Sequence, residues 1–106
     1  MITVIATVQC VPGHRDDFVA EFNKIVPDVL NEAGCIEYGP TVDAVTDIEK
    51  QDRDEHRVTI VEKWESAETL KAHLVAPHMM EYRPKVQAFV ESSELRVLSA
   101  GHSVSR

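Results

Sequence analysis

Two histidines, His73 and His78, and one carboxylic acid, Glu62, fall in a short stretch of sequence that also carries Trp64, Met79 and Tyr82. An imidazole titrates near neutrality and can take or give a proton without a large shift, so either histidine is a candidate general base. Grouped around one pocket, these residues would give apolar walls with a few titratable members, the usual make-up of a small-molecule site. Each also has a plainer reading. Trp64, Met79 and Tyr82 can serve as core, and Glu62 can simply hydrogen bond to a helix end.

Other chemistries lack their residues. His73-x4-His78 crosses Pro77, so the pair does not have the ligand spacing of a continuous helix, and Glu62 is the only further ligand in view. No metal site is expected. No Gly-rich phosphate loop and no Gly-x-Ser-x-Gly elbow occur. Cys10 and Cys35 form neither a metal-type pair nor a disulfide framework. The net charge of -7, from 18 acidic against 11 basic residues, repels polyphosphate and anionic lipid, which argues against nucleic acid and membrane partners. No apolar run approaches the ~18 residues of a spanning helix, and Met1-Ile2-Thr3-Val4 lacks the basic region of a signal peptide, so the expected location is cytoplasmic.

The elements that must position these residues follow from periodicity. Ile2 to Cys10 reads as a strand stopped by Pro12-Gly13. A helix follows, with Phe18, Phe22, Ile25, Val26, Val29, Leu30 and Ala33 on its buried stripe and Asp16 and Asp17 in its first turn. Pro27 should bend this single helix, and Gly34 should supply its left-handed stop. Cys35 to Val45 reads as a second strand, bulged near Gly39-Pro40, and Arg57 to Glu65 as a third. The charged segment Asp47 to His56 between them is a solvated loop. Ser66 caps a short helix through Leu74, Pro77 opens another carrying Met79, Tyr82, Val86 and Phe89, and Leu95 to Ala100 forms the last strand.

All 106 residues fit one domain of the α+β class, a ferredoxin-like split βαβ (βαββαβ) with an antiparallel sheet. In that order the first and second strands are not neighbours, and Cys10 and Cys35 lie at opposite ends of the sheet, too far apart for a disulfide. The third strand places Val58, Ile60, Glu62 and Trp64 on one face and Thr59, Val61, Lys63 and Glu65 on the other. Both faces are partly apolar and the helices cover one, so the other calls for a second subunit and a homodimer.

Pro12-Gly13, Ile25-Val26-Pro27, Gly34-Cys35, Tyr38, Glu62-x-Trp64-Glu65-Ser66, His73-Leu74 and Pro77-His78-Met79 stand in the order seen in antibiotic biosynthesis monooxygenase domains. The chain resembles that family from Ile2 to about Leu98, and within it the bacterial quinol monooxygenases. The resemblance implies a dimeric α+β barrel, a pocket between sheet and helices in each subunit, and oxidation of a small hydroquinone or related aromatic by dioxygen without metal, flavin or other cofactor. It implies His78 or His73 as base, with His78 slightly preferred because Pro77 fixes its backbone beside the helix start. Trp64 and Tyr82 would sandwich the ring, Met79 would fill its edge, and Glu62 and Tyr38 would complete the binding residues. Haem-degrading members carry an Asn, a Trp and a His where this sequence has Ala6, His73 and Arg83, which argues against haem breakdown. Two further readings stay open. One is the isomerase branch acting on phosphorylated autoinducer-2, which needs cations and finds Lys63, Arg83 and Lys85. The other is a dimer that binds a small ligand without turnover.

Overall fold

The computed structural model describes residues 1–102. Its elements are β1 (Ile2–Cys10), α1 (Arg15–Leu30), β2 (Cys35–Val42), β3 (Arg57–Trp64), α2 (Ala67–Leu74), α3 (Pro77–Val86) and β4 (Val90–Leu98), with a 3-10 turn over Gln87–Phe89. The strands form one antiparallel sheet in the order β2-β3-β1-β4, the ferredoxin-like layout expected from the element order. Ile2 and Cys35 both pair with Trp64's end of the sheet while Cys10 lies at the other end, and both cysteines are free.

Alternation on β3 decides which face is covered. Val58, Ile60, Glu62 and Trp64 are buried under the helices, whereas Arg57, Thr59, Val61 and Lys63 stay half-buried on the far face. α1 lays Phe18, Phe22, Ile25 and Val29 on the covered face, the stripe that a 3.6-residue period requires. Pro27 sits inside this one helix without ending it. The helix stops at Leu30, so Gly34 is not its cap as expected. With φ at +82°, Gly34 instead turns the chain into β2, a conformation that glycine adopts at little cost.

That turn is clamped. A Cβ on Gly34 would lie 2.4 to 2.7 Å from three side-chain atoms of Thr69, and the Glu65 amide donates to the Gly34 carbonyl at 2.9 Å. Thr69 belongs to the capping box of α2: its amide donates to Ser66 Oγ at 3.3 Å and its hydroxyl accepts from the Ser66 amide. Both orphan donors at the helix start are thus satisfied.

Several strand features differ from expectation, β3 ending at Trp64 and β4 at Leu98 rather than at Glu65 and Ala100. The irregularity in β2 lies between Cys35 and Glu37, where Ile36 is extra against β3, and not at Gly39-Pro40. β2 ends at Val42, and Arg57 pairs there with Asp43 and, at 3.1 Å, with Asp52, tying down the exposed loop that follows. β4 begins at Val90 because Val90 and Ser92 to Glu94 pair with β1 despite the polarity of this stretch, Glu91 being left over at a register shift, which an edge strand tolerates. The helices do not reach β4. Leu95 and Val97 point to the helix side of the sheet yet remain 52% and 50% exposed. Among the described residues no helix is long and apolar enough to cross a membrane.

Candidate active site

β1 carries the small Ala6 between Val4 and Val8, and the space it leaves opens between sheet and helices as a cavity of about 370 Å³. Ala6, Val8 and Ile60 form its floor, Phe18 and Phe22 come from α1, and Met79 and Val86 from α3. Tyr38, Glu62, His73 and Tyr82 bring polar groups to this space from beneath the helices. Arg83, Glu94 and Leu95 stand at the uncovered β4 side. A neighbouring hollow of about 450 Å³ outside α3 shares Arg83, Val86 and Val90 with the cavity. It has no acid or imidazole, whereas the inner cavity has both.

His73 is 2% exposed, and its Nδ1 lies 2.9 Å from Glu32 Oε2; His78 Nε2 lies 2.7 Å from the same oxygen. A carboxylate oxygen only accepts, so both nitrogens donate. Burial pushes the His73 pKa below the ordinary imidazole range, and Glu32 partly offsets this. Burial therefore favours the neutral form of His73, and the contact with Glu32 favours the proton on Nδ1 and the lone pair on Nε2. No fully buried side-chain donor or acceptor among the described residues lacks a partner. The Nε2 of His73 hydrogen bonds to no described residue, so it must meet open space, and the cavity is the space His73 lines.

Glu62 and Trp64 form the second polar unit. Trp64 Nε1 donates to Glu62 Oε1 at 2.9 Å, leaving the other oxygen unpaired by described residues. Burial raises the Glu62 pKa, against the lowering effect of the Trp64 N–H. Trp64 is fully buried, with its ring 4.7 Å from that of His73. It does not line the cavity, so the expected sandwich of Trp64 and Tyr82 is replaced by walls of Phe22, Tyr38 and Tyr82. Tyr38 meets His73 edge-on at 5.3 Å, and burial with the nearby Glu62 raises its pKa.

His78 also lies outside the cavity. It is 25% exposed and lines a separate outer cleft with Asp28, Glu81 and Lys85; Tyr82 borders both spaces. The carboxylate beside the histidines is thus Glu32, not Glu62. Donor atoms of Glu32, His73 and His78 lie within 4.8 Å of one another, the one such group of three among the described residues. Two of the separations, 2.7 and 2.9 Å, are shorter than the ~3.3 Å between ligands on tetrahedral zinc bonded at ~2.0–2.1 Å. Direct hydrogen bonding accounts for them. The cations available to a phosphate diverge: Lys63 pairs with Glu37 at 3.7 Å on the far face of the sheet, Arg83 donates to the Leu74 carbonyl at 2.6 Å, and Lys85 lines the outer cleft.

Fold and site together define a small α+β protein with an aromatic-walled cavity, open on its β4 side, that is lined by Glu62 and His73. Residues 1–85 match the model of the antibiotic biosynthesis monooxygenase family, and the chain belongs to that family. It is 40% identical over 103 residues to the Escherichia coli K12 protein described as probable quinol monooxygenase YgiN, covering 95% of this chain and 99% of that one; the Shigella flexneri counterpart matches equally. Among solved structures, protein SO0527 from Shewanella oneidensis is 28% identical with a TM-score of 0.75, covering 92% of this chain and 87% of that one. Rv0793 from Mycobacterium tuberculosis, at 23% identity and a TM-score of 0.78 over 98% of each chain, shares the fold.

Proposed function

We propose that this chain is a cofactor-independent quinol monooxygenase, acting as a cytoplasmic homodimer on a small hydroquinone or related aromatic. The observation that carries the reading is that His73 lines an apolar cavity while its Nδ1 lies 2.9 Å from Glu32, which supports a free Nε2 as base. Dioxygen is a triplet and reacts slowly with closed-shell molecules unless an electron-rich partner first gives it one electron. Transfer of a quinol proton to His73 Nε2 makes such a partner, and the reduced substrate then does the work of a cofactor. One oxygen atom enters the ring, which leaves as a hydroxyquinone, and the other leaves as water.

Tyr38 and Tyr82 flank the ring, Met79 fills its edge, and Glu62, braced by Trp64, offers its free oxygen to a substrate hydroxyl. His78 acts from the outer side through Glu32. The family relationship and the relative described as a quinol monooxygenase support the reaction class. The half-buried Thr, Ile and Val residues on the far face of β1 and β3 support a face-to-face dimer. The divergence of Lys63, Arg83 and Lys85 weighs against the phosphorylated-substrate reading.

The test is oxygen uptake and product analysis with chelator-treated protein against a panel of naphtho- and benzohydroquinones, corrected for autoxidation. Uptake above the blank with a hydroxyquinone product is expected. Uptake no faster than the blank across the panel overturns the reading, as does turnover that disappears on metal removal and returns with the metal.

A further inference from the structure

We propose that Glu32 is the positioning residue of this site, fixing which nitrogen of His73 is presented to the substrate. The inference rests on His73 being the base, as proposed above. A neutral imidazole has one N–H and one lone pair, and the partner of one nitrogen decides the role of the other. Because Glu32 accepts from Nδ1 at 2.9 Å, the lone pair lies on Nε2, toward the cavity. Without that acceptor the ring would populate the Nε2–H tautomer as well, which cannot take a proton from a substrate on that side.

Glu32 has a second effect. When the substrate proton arrives on Nε2, the new imidazolium charge sits beside a carboxylate rather than facing apolar walls alone. His78 donates to the same oxygen at 2.7 Å and so holds the carboxylate against rotation. The other groups around His73 are Tyr38 from β2, Trp64 on β3 with Glu62 across the shared cavity, and His78 and Arg83 on α3. None of them hydrogen bonds to Nδ1.

The placement of Glu32 is built into the fold. Gly34 packs directly on Thr69, and Thr69 lies at i, i+4 to His73, so the two share one face of α2. The clamp that holds the turn on α2 also holds Glu32 against His73.

Glu32→Gln keeps the shape and one carbonyl acceptor but removes the charge. In the full chain we expect folded protein whose quinol turnover falls on the order of 10²-fold, a share typical of general-base catalysis, with little change in KM. The limb of the pH–rate profile should move to lower pH, because the carboxylate that raises His73 is gone. Imidazole ¹⁵N shifts give a readout independent of turnover: His73 should be the Nδ1–H form in the parent and a mixture of tautomers in Glu32→Ala. A merely structural Glu32 would lower the folded fraction but leave the limb and the tautomer of the remaining folded protein unmoved, and that result overturns the proposal. If the parent turns over no quinol, the functional reading fails, while the ¹⁵N experiment still decides the role of Glu32.

Discussion

Trp64 gives its indole N–H to Glu62 inside the protein, 2.9 Å from donor to acceptor, with both residues buried. Replacing Trp64 with Phe keeps most of the ring and removes the donor. The expected cost is about 1–3 kcal/mol, that of leaving a buried acceptor short of its partner. The Glu62 pKa should climb further, since the indole is what lowers it. Urea unfolding and a ¹³C carboxyl titration measure the two effects, and an unmoved titration would show that the indole does not hold the acid.

Glu62 also makes stability depend on pH. Its folded-state pKa is raised by burial, so the folded protein holds this proton more tightly than the unfolded chain. The contribution is fully present below the unfolded value and is lost as pH rises through the folded one. Glu62→Gln keeps an acceptor for Trp64 without the charge. It should gain stability over the parent at pH 8, with the gap closing toward pH 4. Denaturation at both pH values tests this, and parallel pH profiles for the two proteins would contradict it.

His73 works in the opposite sense for catalysis. Its pKa is lowered by burial, so turnover should rise with pH through a value below the ordinary imidazole range and be flat above it. His73→Gln should cost on the order of 10²-fold or more in turnover per folded protein. His78→Gln, outside the cavity, should cost less. Equal losses in the two variants, with both fully folded, would return the choice of base to open competition.

Gly34→Ala combines a left-handed φ with a Cβ placed on the Thr69 side chain. We expect a loss of about 1–3 kcal/mol, the cost of one strained backbone position. Turnover should fall as well, because the displaced turn carries Glu32. Thermal unfolding with unchanged activity would separate the glycine from the site.

A homodimer is expected at micromolar protein by sedimentation equilibrium. Leu95 and Val97 at the uncovered side of the cavity, and the half-buried far face of β1 and β3, are the apolar surfaces a partner would cover. A monomer at every concentration would falsify the dimer and the shared barrel with it.

Local pattern made much of this fold legible. The alternation on β3 put Glu62 and Trp64 on the covered face, the Ser66 cap located α2, and Pro77 opened α3, so His73, Met79 and Tyr82 fell on the right elements. Depth was not legible. Trp64 and Glu62 share a face, but Trp64 lies at the strand end beneath α2 and only Glu62 reaches the cavity. Glu32 gave no signal because 41 residues separate it from His73 and its own surroundings read as an ordinary helix end. Only the sheet order brings the two together. β4 was half-hidden because Glu91 to Glu94 look like loop, and the polarity of an edge strand carries little pattern.

β1, the first strand of the domain in chain order, lies between β3 and β4 in the finished sheet, and its register with β4 runs from Thr3 against Leu98 to Cys10 against Val90. One edge of β1 therefore waits for a partner that follows every other described element in the chain. The same late strand supplies Ser93, Glu94 and Leu95 to the cavity wall. Closing so long a loop carries its entropic cost before any contact rewards it, and folds dominated by such pairings form slowly. In the interval the nascent chain displays an unpaired strand edge beside an open apolar cleft, the kind of surface that invites association. Completion of the sheet and completion of the cavity wall then depend on the same strand.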